Sequence, residues 1–212
     1  MRRLPVYLLI DVSGSMTGEP IESVKNGIQL LLSTLRKDPQ ALESAFLSVI
    51  TFSDRVTQVV PLTEVATVQL PNITASGGTS LGQALQTLTE TANKEINKGT
   101  SSEKGDWKPL VFLMTDGQPT DSVERGLQAF KEGKWGIVVA CAAGSGADTN
   151  LLRRITENVV VLDTCDSNSI KAFFMWVSSS VSASSKRVDS GAQPDTLNEL
   201  PPPPEEISLL KF

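Results

Sequence analysis

Three oxygen-bearing side chains, spaced two residues apart, follow the first apolar segment of the chain. Asp11, Ser13 and Ser15 come directly after residues 4–10, which read Leu-Pro-Val-Tyr-Leu-Leu-Ile. Thr79 and Asp116 lie in two later turns that also contain glycine. Carboxylates and hydroxyls are hard oxygen donors, the kind that Mg²⁺ prefers in proteins. We predict that these five side chains form one divalent-cation site.

The charges of these five side chains indicate what kind of ligand the site could bind. If the three hydroxyls bind the ion directly and Asp11 and Asp116 act mainly through water, the ion keeps positive charge that faces outward. It would then attract a carboxylate from another molecule, which would supply a sixth ligand. We expect Mg²⁺ as the cofactor, and the sequence leaves Mn²⁺ and Ca²⁺ open.

Apolar runs alternate with amphipathic segments along the chain. The runs at 4–10 and 110–114 lack polar alternation, which is typical of strands that are covered on both faces of a parallel sheet. The predicted strands are residues 4–10, 45–52, 56–62, 110–114, 136–143 and 159–162. Only three residues separate the second strand from the third, so this pair must be an antiparallel hairpin. The order predicts a doubly wound, three-layer α/β/α fold whose sheet is mostly parallel with one antiparallel edge strand.

The predicted fold explains how distant residues could form one site. In doubly wound sheets, ligands bind beyond the carboxyl ends of the strands. Asp11 and Asp116 directly follow predicted strands, and Thr79 precedes a predicted helix. We therefore expect these three segments to meet at one edge of the sheet.

The composition changes near the end of the chain. A serine-rich stretch leads to four consecutive prolines at residues 201–204, which favour an extended polyproline segment. We predict a domain at 1–183 and a proline-rich tail at 184–212. The last apolar residues, Ile207, Leu209, Leu210 and Phe212, could dock on this domain or on a partner, but a disordered end is the favoured interpretation.

Composition excludes several classes of function. The net charge of −5 and the scattered basic pairs argue against nucleic-acid binding. The apolar runs are too short to span a membrane, so we expect a cytoplasmic protein without membrane contact. The absence of histidine removes Ser-His-Asp and Cys-His catalysis, and two cysteines are too few for a disulfide framework.

The combined motifs resemble the metal-ion-dependent adhesion site (MIDAS) of the von Willebrand factor A (VWA) family. The resemblance rests on Asp-Val-Ser-Gly-Ser at 11–15, Gly-Thr-Ser at 78–80 and Thr-Asp-Gly at 115–117, and it extends over residues 4–181. It implies a VWA fold in which Ser13, Ser15 and Thr79 ligate Mg²⁺ or Mn²⁺ while Asp11 and Asp116 complete the site. A partner's Asp or Glu would supply the last ligand.

Other segments are similar to the TerY-like branch of this family, which is associated with bacterial tellurite resistance. They include Arg-Arg-Leu-Pro-Val-Tyr at 2–7, Leu-Ser-Val-Ile-Thr-Phe at 47–52 and Val-Pro-Leu-Thr at 60–63. This similarity implies a cytoplasmic stress-response scaffold. It also implies an associated protein kinase and PP2C-type phosphatase as partners.

A phosphatase is the alternative function, because Asp11 follows a buried strand in an α/β fold. Aspartate-dependent phosphoryl transfer usually needs a second carboxylate two residues later, and position 13 is serine. We therefore predict a binding module and not an enzyme. At the other candidate positions, Ser80 and Asp121 are interpreted as helix caps, and Trp107 as a residue to test for partner contact.

Overall fold

The computed structural model describes residues 2–210, and this part of the chain contains seven strands and six α-helices. The strands are β1 (Leu4–Asp11), β2 (Ala45–Phe52), β3 (Val56–Glu64), β4 (Leu110–Thr115), β5 (Val138–Ala143), β6 (Val159–Leu162) and β7 (Ile207–Leu209). The helices are α1 (Glu19–Leu35), α2 (Pro39–Ser44), α3 (Leu81–Glu95), α4 (Glu124–Glu132), α5 (Thr149–Ile155) and α6 (Ser167–Asp189).

All seven strands form one sheet in the order β3-β2-β1-β4-β5-β6-β7. The five central strands are parallel, and β3 pairs antiparallel to β2 at one edge. The predicted mostly parallel sheet with an antiparallel edge strand is confirmed. A second antiparallel strand, β7, pairs with β6 at the opposite edge of the sheet. This strand was not predicted from the sequence.

Helices cover both faces of the sheet. Along β1, Leu8 and Ile10 face a layer formed by α1, α2 and α6, while Tyr7 and Leu9 face a layer formed by α3, α4 and α5. Every residue of β1 is buried. Since strand side chains alternate between the two faces, a continuously apolar strand requires cover on both sides. The structure thus has the predicted three layers.

Glycine permits close contact between helices in each outer layer. A side chain at Gly27 of α1 would collide with the ring of Phe174 in α6, and one at Gly126 of α4 would collide with the backbone of Gly82 in α3. The contact between Gly126 and Gly82 keeps α3 and α4 close together. Helix α3 begins next to Thr79.

One short helix was missed in the sequence. Asp38 and Pro39 follow α1 closely, and they begin α2. The Asp38 carboxylate accepts hydrogen bonds from the amides of Gln40 and Ala41, and Pro39 is in the first turn. These are ordinary signals for the start of a helix.

The C-terminal segment packs against the domain. α6 continues through residue 183, where we placed the domain boundary, and the boundary itself stays a prediction. Beyond α6, the Trp176 Nε1 donates a hydrogen bond to the Pro201 carbonyl at 2.8 Å. Ile207 is buried in the same core as α6. Of the apolar residues considered for docking, Phe212 lies outside the described part of the chain.

Candidate metal centre

Three loops meet at the carboxyl edge of the sheet. The first follows β1, the second precedes α3 and the third follows β4. The Gly14 amide donates to the Gly77 carbonyl, and the Ser76 amide donates to the Val12 carbonyl, each at 2.9 Å. These two backbone bonds join the first loop to the second, as the sheet topology led us to expect.

Asp11 lies at the base of the site, with 0% of its surface exposed. Its Oδ1 accepts from the Ser13 amide at 2.8 Å, and its Oδ2 accepts from the Thr115 hydroxyl at 2.6 Å. Burial raises the pKa of Asp11, while the bonds from Ser13 and Thr115 act in the opposite direction. The carboxylate therefore connects the β1 and β4 loops through both of its oxygens.

The two serines and Asp116 form a short hydrogen-bonded chain. The Ser13 Oγ lies 3.0 Å from the Ser15 Oγ, which donates to the Asp116 Oδ1 at 2.8 Å. Ser13 is buried, Ser15 is exposed and Asp116 is half-buried. The polar chain therefore extends from the protein interior to the surface.

Thr79 faces the same space as Ser15. A methyl group placed on Gly117 would lie 3.7 Å from the Thr79 Oγ1 and 4.0 Å from the Ser15 Oγ. Two hydroxyls from loops far apart in sequence thus approach one small volume beside Gly117. The structure brings all five predicted residues to this edge of the sheet. Their assignment as metal ligands stays a prediction.

Residues outside the predicted set fix the second loop. The Gly78 amide donates to the Asp54 Oδ1 at 2.7 Å, and the Thr79 amide donates to the Thr120 Oγ1 at 2.9 Å. Neither Asp54 nor Thr120 is among the residues predicted for the site. Their only local signal is a polar residue in a turn, and such residues are common in turns that serve no site.

Helix α3 is capped by a residue from the third loop. The Asp121 carboxylate accepts from the amides of Gly82 at 3.1 Å and Gln83 at 2.9 Å. We expected Ser80 to cap this helix, but its side chain makes no capping bond. We also expected Asp121 to cap the helix that follows it, whereas it caps α3. A carboxylate stabilises the positive end of a helix better than a hydroxyl does, and the tertiary fold brings one within reach.

A half-buried cysteine lies near the acidic pair. The pKa of Cys165 is raised to about 11, first by burial and then by the charges of Asp116, Asp11 and Asp166. Its thiol is therefore protonated at neutral pH.

The donor chemistry fits a hard cation. Residues 2–210 contain no group of three or more His, Cys, Asp or Glu side chains arranged for metal binding. At this site the donors are instead hydroxyls and two carboxylates, all oxygen, and part of the site is open to solvent. Mg²⁺, Mn²⁺ and Ca²⁺ prefer such donors and accept water or an outside ligand in addition.

The fold and site define a class of protein. The von Willebrand factor type A domain model matches residues 6–176. The chain belongs to the von Willebrand factor type A domain family. Its seven-stranded α/β structure resembles a von Willebrand factor type A protein from Catenulispora acidiphila with a TM-score of 0.69 at 18% identity, over 86% of this chain and 43% of that one.

One curated protein and one further solved structure are also similar to this chain. Uncharacterized protein sll0103 of Synechocystis is 33% identical over 124 residues, which cover 55% of this chain and 26% of that protein. Proximal thread matrix protein 1 of the mussel byssus, with a zinc-occupied MIDAS motif, has a TM-score of 0.60 at 19% identity, over 84% of this chain and 48% of that one. The chain thus spans about a quarter of the curated relative.

Among residues 2–210, no helix has both the length and the apolar character needed to cross a membrane.

Proposed function

We propose that this domain binds a protein partner through a divalent cation held by Ser13, Ser15 and Thr79. The observation that supports this most strongly is the convergence of their three loops, with the Ser15 hydroxyl bonded to Asp116 and Thr79 facing the same space beside Gly117. Mg²⁺ is the proposed ion, with Mn²⁺ and Ca²⁺ as close substitutes. The zinc-occupied MIDAS motif of the mussel protein supports this proposal, because that protein has a similar fold and holds a divalent ion.

Each residue has a proposed role. The hydroxyls of Ser13, Ser15 and Thr79 would contact the ion directly. Asp11, whose two oxygens already accept hydrogen bonds from Ser13 and Thr115, would mainly hold the loops in place. Asp116 would orient the Ser15 hydroxyl and balance part of the charge. Neutral direct ligands would leave positive charge facing the exposed side of the site.

The partner's chemistry follows from that charge. A protein that presents an Asp or Glu side chain at an exposed surface would complete the site, because carboxylate oxygen is a preferred ligand of these ions. Bound this way, the domain acts as a scaffold and not as an enzyme. Domains of this family generally serve in adhesion and scaffolding.

We also propose a biological setting for this domain. Similarity to the TerY-like branch suggests a cytoplasmic stress-response protein that functions in tellurite resistance. An associated protein kinase and a PP2C-type phosphatase are its proposed partners. Deletion of the gene should lower the tolerance of the host cell to tellurite. The wild-type gene should restore that tolerance, and the Thr79→Ala variant should not.

The phosphatase alternative lacks support. A nucleophilic aspartate needs a free oxygen beside the substrate, whereas Asp11 is fully buried and both its oxygens accept hydrogen bonds. Ser13 occupies the position where a second carboxylate would be needed. Hydrolysis of p-nitrophenyl phosphate with Mg²⁺, abolished by Asp11→Asn, would reverse this conclusion.

The proposed function can be tested with a random peptide library displayed on phage. Phage are selected on the immobilised domain in Mg²⁺ and eluted with EDTA. The selected peptides should contain Asp or Glu, should lose binding when that residue is changed to Asn or Gln, and should not bind Thr79→Ala. Ser179→Ala, an exposed serine on α6, is the control variant that should keep binding. Binding that persists in EDTA would contradict the proposal.

A further inference from the structure

A cavity of about 420 Å³ lies at the opposite end of the molecule from the metal centre. It is bordered by residues that follow the C-terminal ends of α3 and α4, and by Lys108 and Pro109, which directly precede β4. Two of the three tryptophans of the chain, Trp107 and Trp135, line this cavity. Nothing in the proposed function uses it.

Both tryptophans are held in fixed orientations. The guanidinium carbon of Arg2 lies 3.6 Å from the centre of the Trp107 ring. The Trp135 ring stacks on Phe130 with 4.8 Å between ring centres, and its Nε1 donates to the Phe130 carbonyl at 2.6 Å. Both indoles are only half-buried, so part of each faces the cavity. Rigid aromatic surfaces at a concave site are suited to stacking on another flat ring.

The cavity carries an excess of positive charge. Arg2 donates to the carbonyls of Gly105 and Asp106, so no carboxylate neutralises it. In the described part of the chain Lys98 and Lys134 form no ion pair, and both are exposed. These cations contrast with the net charge of −5 of the whole chain.

Most of the negative groups near the cavity already accept hydrogen bonds or form an ion pair. Asp106 forms an ion pair with Arg3 and also accepts from the Asn97 amide. The Glu95 carbonyl at the end of α3 accepts from Arg3, and the Phe130 carbonyl near the end of α4 accepts from Trp135. Carbonyl groups at the C-terminal ends of α3 and α4 therefore already accept hydrogen bonds from Arg3 and Trp135. Glu132 is the one carboxylate of the cavity lining outside these contacts.

We propose that this cavity binds a small anionic ligand that carries a flat aromatic ring, and that nucleoside phosphates are the class that fits. The base would stack on an indole, and the phosphates would lie among Arg2, Lys98 and Lys134. The volume is in the usual range for small-molecule sites. A nucleoside phosphate combines a ring with negative charge, and this cavity offers complementary groups for both.

The experiment uses N-methylanthraniloyl-ADP, whose label receives energy from excited tryptophan, in buffer with EDTA so that the metal centre does not contribute. Tryptophan excitation should produce label emission that unlabelled ADP abolishes and that adenosine or phosphate alone competes for much less effectively. Trp107→Phe and Trp135→Phe should each reduce the transfer. Trp176→Phe, which removes an indole bonded to Pro201, should leave it nearly unchanged.

Charge reversal provides the matched control. Lys98→Glu with Lys134→Glu should weaken ADP binding at least about tenfold, because two attractive charges become repulsive. Lys37→Glu with Lys171→Glu changes the net charge equally at exposed positions outside the cavity lining, and it should have little effect. Equal weakening in both double variants would overturn the proposal. So would the absence of competition by millimolar ADP, or stronger competition by an acidic peptide, which would identify a protein segment as the occupant.

Discussion

The Ser15 hydroxyl donates a hydrogen bond to the Asp116 Oδ1 at 2.8 Å, although 101 positions separate the two residues in sequence. This bond joins the loop after β1 to the loop after β4. Together with the Asp11–Thr115 bond, it fixes two of the three loops before any ion binds. A site arranged in advance loses less conformational entropy when it takes up a ligand.

Metal binding should raise the thermal stability of the domain. An ion that binds only the folded state at about 100 times its Kd adds about 2.7 kcal/mol. For a chain of this size, that corresponds to an increase in Tm of about 5–10 °C. Differential scanning calorimetry with and without Mg²⁺ or Mn²⁺ would measure it.

Two variants and one control make this prediction specific. Asp11→Ala and Thr79→Ala should each remove the increase in Tm, whatever their effect on stability without metal. Ser179→Ala should keep the full increase, because this exposed serine lies on α6 away from the three loops. An increase of the same size in all three variants would place the ion elsewhere.

The α3 cap should depend on Asp121 and not on Ser80. Asp121→Ala removes the acceptor for the Gly82 and Gln83 amides and should lower the free energy of unfolding by about 1 kcal/mol. Ser80→Ala should change it by less than about 0.5 kcal/mol, since that side chain makes no capping bond. Urea unfolding without metal would measure both. A larger loss for Ser80→Ala would support the local cap that the sequence suggested.

Stability should depend on pH through Asp166, which caps α6. Hydrogen bonds from the Ser169 amide and the Thr164 hydroxyl lower the pKa of this carboxyl below its ordinary value of 3.8. Because the pKa of Asp166 is lower in the folded state than in the unfolded chain, its charged form stabilises the fold at pH values above the ordinary pKa. This stabilisation is lost as the pH falls through the lower pKa of the folded state.

Thermal unfolding of Asp166→Asn across this pH range would test that dependence. The variant should melt below the wild type at neutral pH, and the two should converge as the solution becomes strongly acidic. Asp163→Asn, at an exposed carboxylate nearby in the sequence, is the control and should follow the wild type. A difference between Asp166→Asn and the wild type that stays constant with pH would show that Asp166 does not act through its charge.

The last strand should contribute to stability. Ile207 is 4% exposed and packs in the core that contains α6. Ile207→Ala should therefore lower the free energy of unfolding by about 2 kcal/mol, at the low end for a buried isoleucine because the site is at the sheet edge. Ser208→Ala, its exposed neighbour on β7, should change it by less than about 0.5 kcal/mol. Unchanged stability in Ile207→Ala would show that β7 is not held against β6.

The central part of the fold could be predicted because its signals are local. The uninterrupted apolar run of β1 indicated a strand covered on both faces, and the three-residue connection before β3 indicated an antiparallel edge. The spacing of Asp11, Ser13 and Ser15 likewise identified the first loop of the site.

The missed features depend on contacts between distant residues. Asp121 caps a helix that begins 40 residues earlier, so neither segment alone reveals the bond. β7 is only three residues long and follows four prolines, and its pairing with β6 depends on the path of the preceding segment. Asp54 and Thr120 acquire their roles only when the loops meet. In contrast, the Asp38-Pro39 start of α2 was a local signal that could have been recognised.

The most direct test of the metal centre is a crystal structure of the domain soaked in Mn²⁺, with anomalous scattering used to locate the ion. Our account predicts one strong anomalous peak within bonding distance of the Ser13, Ser15 and Thr79 hydroxyls, and its loss in crystals of Thr79→Ala. A peak at another position, or none at this edge of the sheet when Mn²⁺ is in excess, would contradict the account.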